Sequence, residues 1–283
     1  MRFCYCPPSP LIKCAFYDNF ANPYNFLIIN LYSCFIFKKE GMNEMNLKTR
    51  KGFNATQLQW IAIVCMVIDH IAWVFLPDES PLMLGMHFLG RLTFPIMSYF
   101  IAQGYHYSSN VPLYLRRMFV LAIISIVPFY LLFFQIIGFT QNTVFTLAIG
   151  LTTLYLGGKI KNRLLRYLMV TGFAIISIFF DCGLSGIFMI YFMGRIKNRS
   201  LSLVGGILLM NIINHSLQFL VQSLSGISIG LSLQDVVFMV GTLAAIPLLL
   251  YYNGDKGTKS KYAFYIIYPL HLIVIWVASL FIV

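Results

Sequence analysis

Residues 66–75, MVIDHIAWVF, set Asp69 and His70 side by side in a run that is otherwise apolar or aromatic. A neutral imidazole near pH 7 is the usual general base, and a nearby carboxylate can orient it and support its protonated form. A further charged group, Arg91, lies inside a second apolar run, HFLGRLTFPIMSYF, which begins at His87. Its guanidinium can keep Asp69 ionised, or stabilise an oxyanion developing on an acyl carbonyl. A charge at the centre of a membrane helix costs about 2.5 to 3.5 kcal/mol on insertion scales, so Asp69, His70 and Arg91 are candidate catalytic residues. Adjacent helical residues point about 100° apart, so Asp69 need not touch His70. Asp69 can pair with Arg91 while His87 or Asp181 orients His70.

Other polar groups recur at similar depth. His87 precedes Arg91 by one helical turn, and the same face continues through Pro95 and Ser98. Asn211, Asn214, His215, Gln218 and Gln222 follow helical spacing as one stripe, Pro269 loosens the chain just before His271, and Asp181 ends an apolar run. Lipid rejects such groups, so His87, Asn211, Asn214, His215, Gln218, His271 and Asp181 are candidate lining residues of one outward-opening cavity. The competing reading is structural. Amides on membrane helices often only join helices, at about 0.6 kcal/mol each, and a buried Asp69–Arg91 pair can exist without catalysis. The histidines and acids show no ligand-spaced pair such as H-x-x-x-H, so no metal is expected.

The elements that must position these groups are membrane helices. The chain is 59% hydrophobic and only 10% charged, with mean hydropathy +0.79, whereas an ordinary soluble domain carries about 25% charged residues. Several separate runs approach the ~20 apolar residues that cross a ~30 Å hydrocarbon core. The expected fold is all-α: a polytopic membrane bundle of about nine transmembrane helices, near 56–76, 83–106, 117–138, 142–157, 164–180, 183–194, 200–222, 234–252 and 262–282. At about 12 residues, the sixth is short enough to be tilted, re-entrant or buried by its neighbours. Alternate gaps are acidic or neutral ("PDESP", "GFTQN", Asp181, Asp235) and basic (Arg116 with Arg117, "KIKNRLLR", "RIKNR", "GDKGTKSK"). Of the 16 Lys and Arg residues after Met45, 15 fall on one side, which puts the mature N-terminus in the cytoplasm and the C-terminus outside. Topology thus accounts for the net charge of +11, and no nucleic-acid partner is expected. Counted from their outer span ends, Asp69 and Arg91 share a depth of roughly 10 to 12 Å, so an ion pair between the first two spans is geometrically available.

Residues 1–44 differ from the rest. They hold four of the six cysteines, lack helical periodicity, and offer an apolar run from Phe26 to Phe37 too short to span comfortably. There is neither a basic n-region nor a small-residue cleavage site. "KKEGMNEM" can be encoded by codons containing AAGGAGG, a bacterial ribosome-binding site, just upstream of Met45. We read 1–44 as a non-structural extension or mis-assigned start, and 45–283 as the transmembrane domain.

The runs "LQWIAIVCMVIDHIAWVF", "GRLTFPIMSYFIAQGYHYSSNVPLYLRRMFVLAIISIVPFYLLF", "NTVFTLAIGL" and "FYIIYPLHLIVI" together resemble the TraX family of bacterial membrane proteins, named for the acetylase of conjugative pilin. The resemblance covers nearly everything from Leu58 to Ile275. It implies a multi-pass acetyltransferase of the bacterial cytoplasmic membrane, similar in plan to transmembrane acyltransferases that take acetyl-CoA from the cytoplasm and modify an acceptor on the other side. The family's aspartate-histidine motif falls on Asp69 and His70. Its glycine-arginine and phenylalanine-proline elements fall on Gly90, Arg91, Phe94 and Pro95, and its late proline-histidine element on Pro269 and His271. This chain departs from the pattern at Ala72, where glycine is common, and at the neutral "HYSSN" from His106. On this reading acetyl-CoA is co-substrate, Arg116, Arg117 or loop lysines meet its phosphates, His70 takes the acceptor's proton, and Arg91 or a backbone donor holds the oxyanion. The acceptor is an amine or hydroxyl of a pilin-like peptide or surface polymer. A transporter or flippase, and a non-catalytic assembly factor, are the rival classes.

Overall fold

The computed structural model describes residues 51–78, 80–137, 140–226, 230–258 and 263–282. The reading of 1–44 as an extension falls outside them. Among the described residues the chain is all-helical: α1 Ala55–Phe75, α2 Pro81–Gly90, α3 Thr93–Tyr107, α4 Val111–Ile124, α5 Ile126–Ile137, α6 Thr143–Lys159, α7 Arg163–Ile176, α8 Gly183–Arg195, α9 Arg199–Ser225, α10 Leu233–Leu250 and α11 Ala263–Ile282. A single 3₁₀ turn spans Ser177–Phe179, and extended pairing is limited to two isolated bridges, Phe53 with Tyr252 and Gln141 with Phe180.

Local chemistry starts these helices where the apolar runs begin. Asn54, Asn110, Asn142, Asn162 and Asn198 each accept an N–H from the first turn that follows, and Asn54 and Ser232 complete capping boxes with Gln57 and Asp235. Proline breaks two of the expected spans. Pro95 has no N–H to donate to the Arg91 carbonyl, and the second span divides into α2 and α3 with Arg91 at the break. Pro128 divides the third span in the same way. There the Ser125 hydroxyl donates to the Leu121 carbonyl at 2.8 Å.

Among the described residues, five helical stretches are long and apolar enough to cross a membrane: Ala55–Phe75, Val111–Phe134, Arg199–Ser225, Leu233–Leu250 and Phe264–Ile282. This is fewer than the nine expected spans. Helices α6, α7 and α8 have 17, 14 and 13 residues, and at about 1.5 Å per residue each is shorter than a ~30 Å hydrocarbon core. Helices α6 and α8 are surrounded by protein, whereas α7 buries only Val170 and Ala174 and leaves Leu164, Leu165, Leu168 and Ile175 exposed. Helix α6 buries residues around its whole circumference, from Val144 to Gly157, which marks it as the bundle's interior helix. Helix α8, the weakest of the expected spans, packs against α3, α6, α7 and α9.

Two hydrogen-bonded junctions close the bundle's ends. At one, the loop after α10 is tied to the start of α1: Asn253 N–H donates to the Phe53 carbonyl, and the Thr56 hydroxyl lies 2.9 and 2.8 Å from the carbonyls of Lys256 and Thr258. At the other, Gln141 N–H donates to the Phe179 carbonyl and Asp181 N–H to the Gln141 carbonyl.

Candidate active site

A cavity of about 610 Å³ joins the two junctions. Thr56, Gln59, Arg117, Lys256 and Tyr265 line one end, and Asp69, His70, Arg91, Thr143, Asp181, Cys182 and Tyr268 line the other. Thr56 and Asp69 both lie on α1 and are 13 residues apart, so the cavity extends about 20 Å along the helix. It does not lie only in the half of the bundle away from the basic loops, as expected from sequence. It reaches the basic end, where Arg117 and Lys256 are exposed.

Asp69 is buried and accepts from two sides. Arg91 Nη2 donates to Asp69 Oδ2 at 2.9 Å and to Oδ1 at 3.2 Å, and His87 Nδ1 donates to Oδ1 at 2.7 Å. Gly90 makes this approach possible, because a Cβ there would sit 2.3 Å from the Asp69 carboxyl carbon and Oδ1. Gly241 does the same from α10, where a Cβ would lie 2.8 Å from Arg91 Cβ. The Arg91 guanidinium lies 4.1 Å from the Phe238 ring centroid, and His87 packs between Trp73 and Phe238 at 4.6 and 5.7 Å. Arg91 Nε and His87 Nε2 are buried without a hydrogen-bond partner. Both Asp69 contacts are made by Nη2, so Nη1 of Arg91, a cavity-lining residue, takes no part in them.

His70 belongs to a different arrangement. Its Nδ1 lies 2.8 Å from His271 Nε2 with the rings stacked at 5.0 Å, and the Phe133 ring packs edge-on at 5.0 Å. His271 Nδ1 donates to the Ile267 carbonyl at 2.9 Å. Neither His87 nor Asp181 hydrogen-bonds His70, the two orienting partners considered from sequence. His87 is committed to Asp69, and Asp181 accepts from the Thr143 hydroxyl at 2.5 Å while its carbonyl accepts from Thr146 at 2.6 Å.

The expected lining residues therefore divide. Asp69, His70, Arg91 and Asp181 line the cavity, and Arg117 lines its mouth. His87 and His271 stand one layer behind, against Asp69 and His70. Arg116 is exposed and does not line the cavity.

The α9 stripe is a seam between helices rather than a lining. Asn211 bonds Thr242 in both directions at 3.0 and 3.1 Å, Gln218 donates to Asp235 at 2.8 Å, and Gln222 pairs with Gly230. Asn214 is exposed, and His215 Nδ1 is buried without a partner. Polar groups on a lipid-facing helix need a partner, and here α10 and the loop before it supply most of them.

Sequence reasoning missed Thr143, Cys182 and Tyr268 as lining residues. Tyr268 was detectable one turn before His271, and Lys256 is the one of the loop lysines that lines the mouth among the described residues. Cys182 takes a left-handed backbone conformation, φ 56°, at the turn into α8.

The family model described as TraX protein matches residues 54–279. The chain belongs to the TraX family. A curated relative is 28% identical over 248 residues, covering 81% of this chain and 97% of its own length; it is named "Probable fimbrial assembly protein FimC, serogroup H1", from Dichelobacter nodosus. No solved structure matches. In this TraX chain the matched segment contains both polar arrangements, the Asp69–Arg91–His87 cluster and the His70–His271 pair.

Proposed function

We propose that this chain is a membrane-embedded acetyltransferase that moves an acetyl group from acetyl-CoA to an amine or hydroxyl acceptor. The observation that carries the reading is the cavity, which runs from exposed Arg117 and Lys256 to the His70 ring and the Asp69–Arg91 pair. Its size falls within the ~300–1,000 Å³ of small-molecule sites. The basic end faces the cytoplasm of a bacterial cell, and Arg117 and Lys256 meet the phosphates of the donor. The thioester reaches the far end, between His70 and Arg91. The acceptor is a fimbrial or pilin-like subunit, in keeping with the relative's name as a probable fimbrial assembly protein.

His70 removes the acceptor's proton as its nitrogen or oxygen attacks the acetyl carbonyl. Arg91 Nη1 donates to the developing oxyanion, in a low-dielectric setting where such a donor counts most. As the carbon–sulfur bond breaks, His70 returns the proton to the leaving CoA sulfur. Asp69 stays ionised throughout and holds Arg91 in place. The rival reading, an assembly factor without catalysis, draws on the relative's name and makes the Asp69–Arg91 pair purely structural.

Acetyl-CoA binding and hydrolysis by detergent-purified protein separate the two readings. Wild type releases CoA slowly, His70→Ala loses about 10²- to 10⁴-fold in turnover with binding retained, and Arg91→Ala also loses turnover. Folded wild-type protein that fails to bind acetyl-CoA would overturn the proposal.

A further inference from the structure

The sequence places an acid beside His70, yet the group bonded to His70 lies 201 residues away. Hydrogen-bond bookkeeping sets the direction of the chain that results. The Ile267 carbonyl can only accept, so the hydrogen on His271 sits on Nδ1. In neutral His271, Nε2 is then a lone pair. The hydrogen in the 2.8 Å contact therefore belongs to His70 Nδ1, and the lone pair of neutral His70 falls on Nε2. His70 lines the cavity, and Nε2 has no hydrogen-bond partner among the described residues.

The opposite assignment requires a protonated His271. That residue is 8% exposed and stands beside an apolar cluster of Phe129, Phe133, Leu272 and Ile275. The nearby carboxylate, Asp69, is already shared by Arg91 and His87. A cation on His271 would thus be buried without a counter-charge, which is costly.

Local structure explains how His271 is held. Pro269 sits inside the continuous α11 and has no N–H for the Tyr265 carbonyl, and two residues before it the Ile267 carbonyl accepts from His271 Nδ1. From α5, Phe133 presses on the His70 ring and limits its rotation.

We propose that His271 is the positioning residue for His70: the relay from the Ile267 carbonyl through His271 holds the hydrogen of neutral His70 on Nδ1 and aims the Nε2 lone pair into the cavity. An unconstrained histidine side chain favours the other tautomer, with hydrogen on Nε2. That form would present a donor to the cavity where a base is needed. The inference rests on the acetyltransferase reading for the use of the lone pair, whereas the tautomer itself does not depend on it. During transfer, Nε2 accepts the acceptor's proton and the Nδ1–H remains bonded to His271. When Nε2 passes its proton to the CoA sulfur, His70 returns to the starting tautomer.

The test is ¹⁵N NMR of the full chain, histidine-labelled and reconstituted, with the His70 signals among the five histidines assigned by comparison with His70→Ala. Wild-type His70 shows the neutral Nδ1–H tautomer. His271→Leu moves it to Nε2–H, and His271→Gln, whose amide oxygen can accept from Nδ1–H, keeps the wild-type form. In acetyl-CoA hydrolysis, His271→Leu lowers kcat by about 10- to 100-fold with KM unchanged, and His271→Gln restores most of it. Wild-type His70 with hydrogen on Nε2, or an unaltered tautomer in His271→Leu, overturns the positioning role. If the tautomers follow expectation but folded wild-type protein neither binds nor cleaves acetyl-CoA, the positioning stands and the acetyltransferase reading falls.

Discussion

Substituting Gly90 by Ala tests the geometry that brings Arg91 to Asp69. A methyl group there would lie 2.3 Å from both the Asp69 carboxyl carbon and Oδ1, more than 1 Å inside ordinary contact at ~3.5 Å. Either α2 moves away from α1 or the Asp69 side chain rotates, and each response stretches the 2.9 Å bond from Arg91 Nη2 and the 2.7 Å bond from His87. Overpacking costs about 1–3 kcal/mol, and weakening a hydrogen bond to a charged group adds about 1.5–3 kcal/mol. The expected loss is about 2.5–6 kcal/mol, which at about 2–4 °C per kcal/mol for a domain of this size lowers Tm by roughly 5–24 °C. Gly85 on the same helix provides the control, because nothing lies within 4 Å of its added Cβ. Gly85→Ala should be neutral or stabilising by up to about 1 kcal/mol through helix propensity. Thermal unfolding of both variants in one detergent makes the comparison, with acetyl-CoA hydrolysis as a second readout. Equal melting temperatures for Gly90→Ala and Gly85→Ala would refute the close approach of α2 to Asp69.

Asp69→Asn leaves Arg91 without its counter-charge and should cost about 3–5 kcal/mol; combining it with Arg91→Gln should cost less than the sum of the single changes, as a double-mutant unfolding cycle would reveal. Charge reversal at Arg117 and Lys256 together should raise KM for acetyl-CoA with kcat little altered, whereas Arg116→Glu, outside the cavity lining, should leave both unchanged in steady-state kinetics. Asn211→Leu removes the bonds to Thr242 and should lower stability by about 0.6–1.7 kcal/mol while turnover per folded molecule holds, measured by denaturant titration beside the activity assay. Cys182→Gly relieves a left-handed backbone at φ 56° and should stabilise the protein by about 1 kcal/mol, seen as a higher Tm.

Depth was legible in the sequence because helical rise is constant. Counting from span ends put Asp69 and Arg91 at one level, and the two side chains meet there. Azimuth was not legible, since a count along one helix says nothing about which way its neighbour is turned. Asp69 and His70 therefore looked like one unit but serve two: a rotation of about 100° sends the carboxylate to α2 and the imidazole to α11. The same limit separates Arg117 from Arg116. For the 211–222 stripe, helical spacing correctly defined a single face, but two surroundings satisfy polar groups in lipid equally well: a wet cavity, or complementary groups on another helix. Thr242 and Asp235 on α10 provide the second, and neither carries a signal linking it to Asn211 or Gln218. The prolines were more informative than the polar residues around them. Pro95 follows the helix break at Arg91, whereas Pro269 lies inside the continuous α11, two residues before His271; each leaves a helix carbonyl without its intrahelical N–H, which at membrane depth is tolerated where protein or a cavity surrounds it. Proline near an ionisable residue in two such runs thus points to the same interior, one marking the break that holds the cation and the other the turn that holds the histidine behind His70.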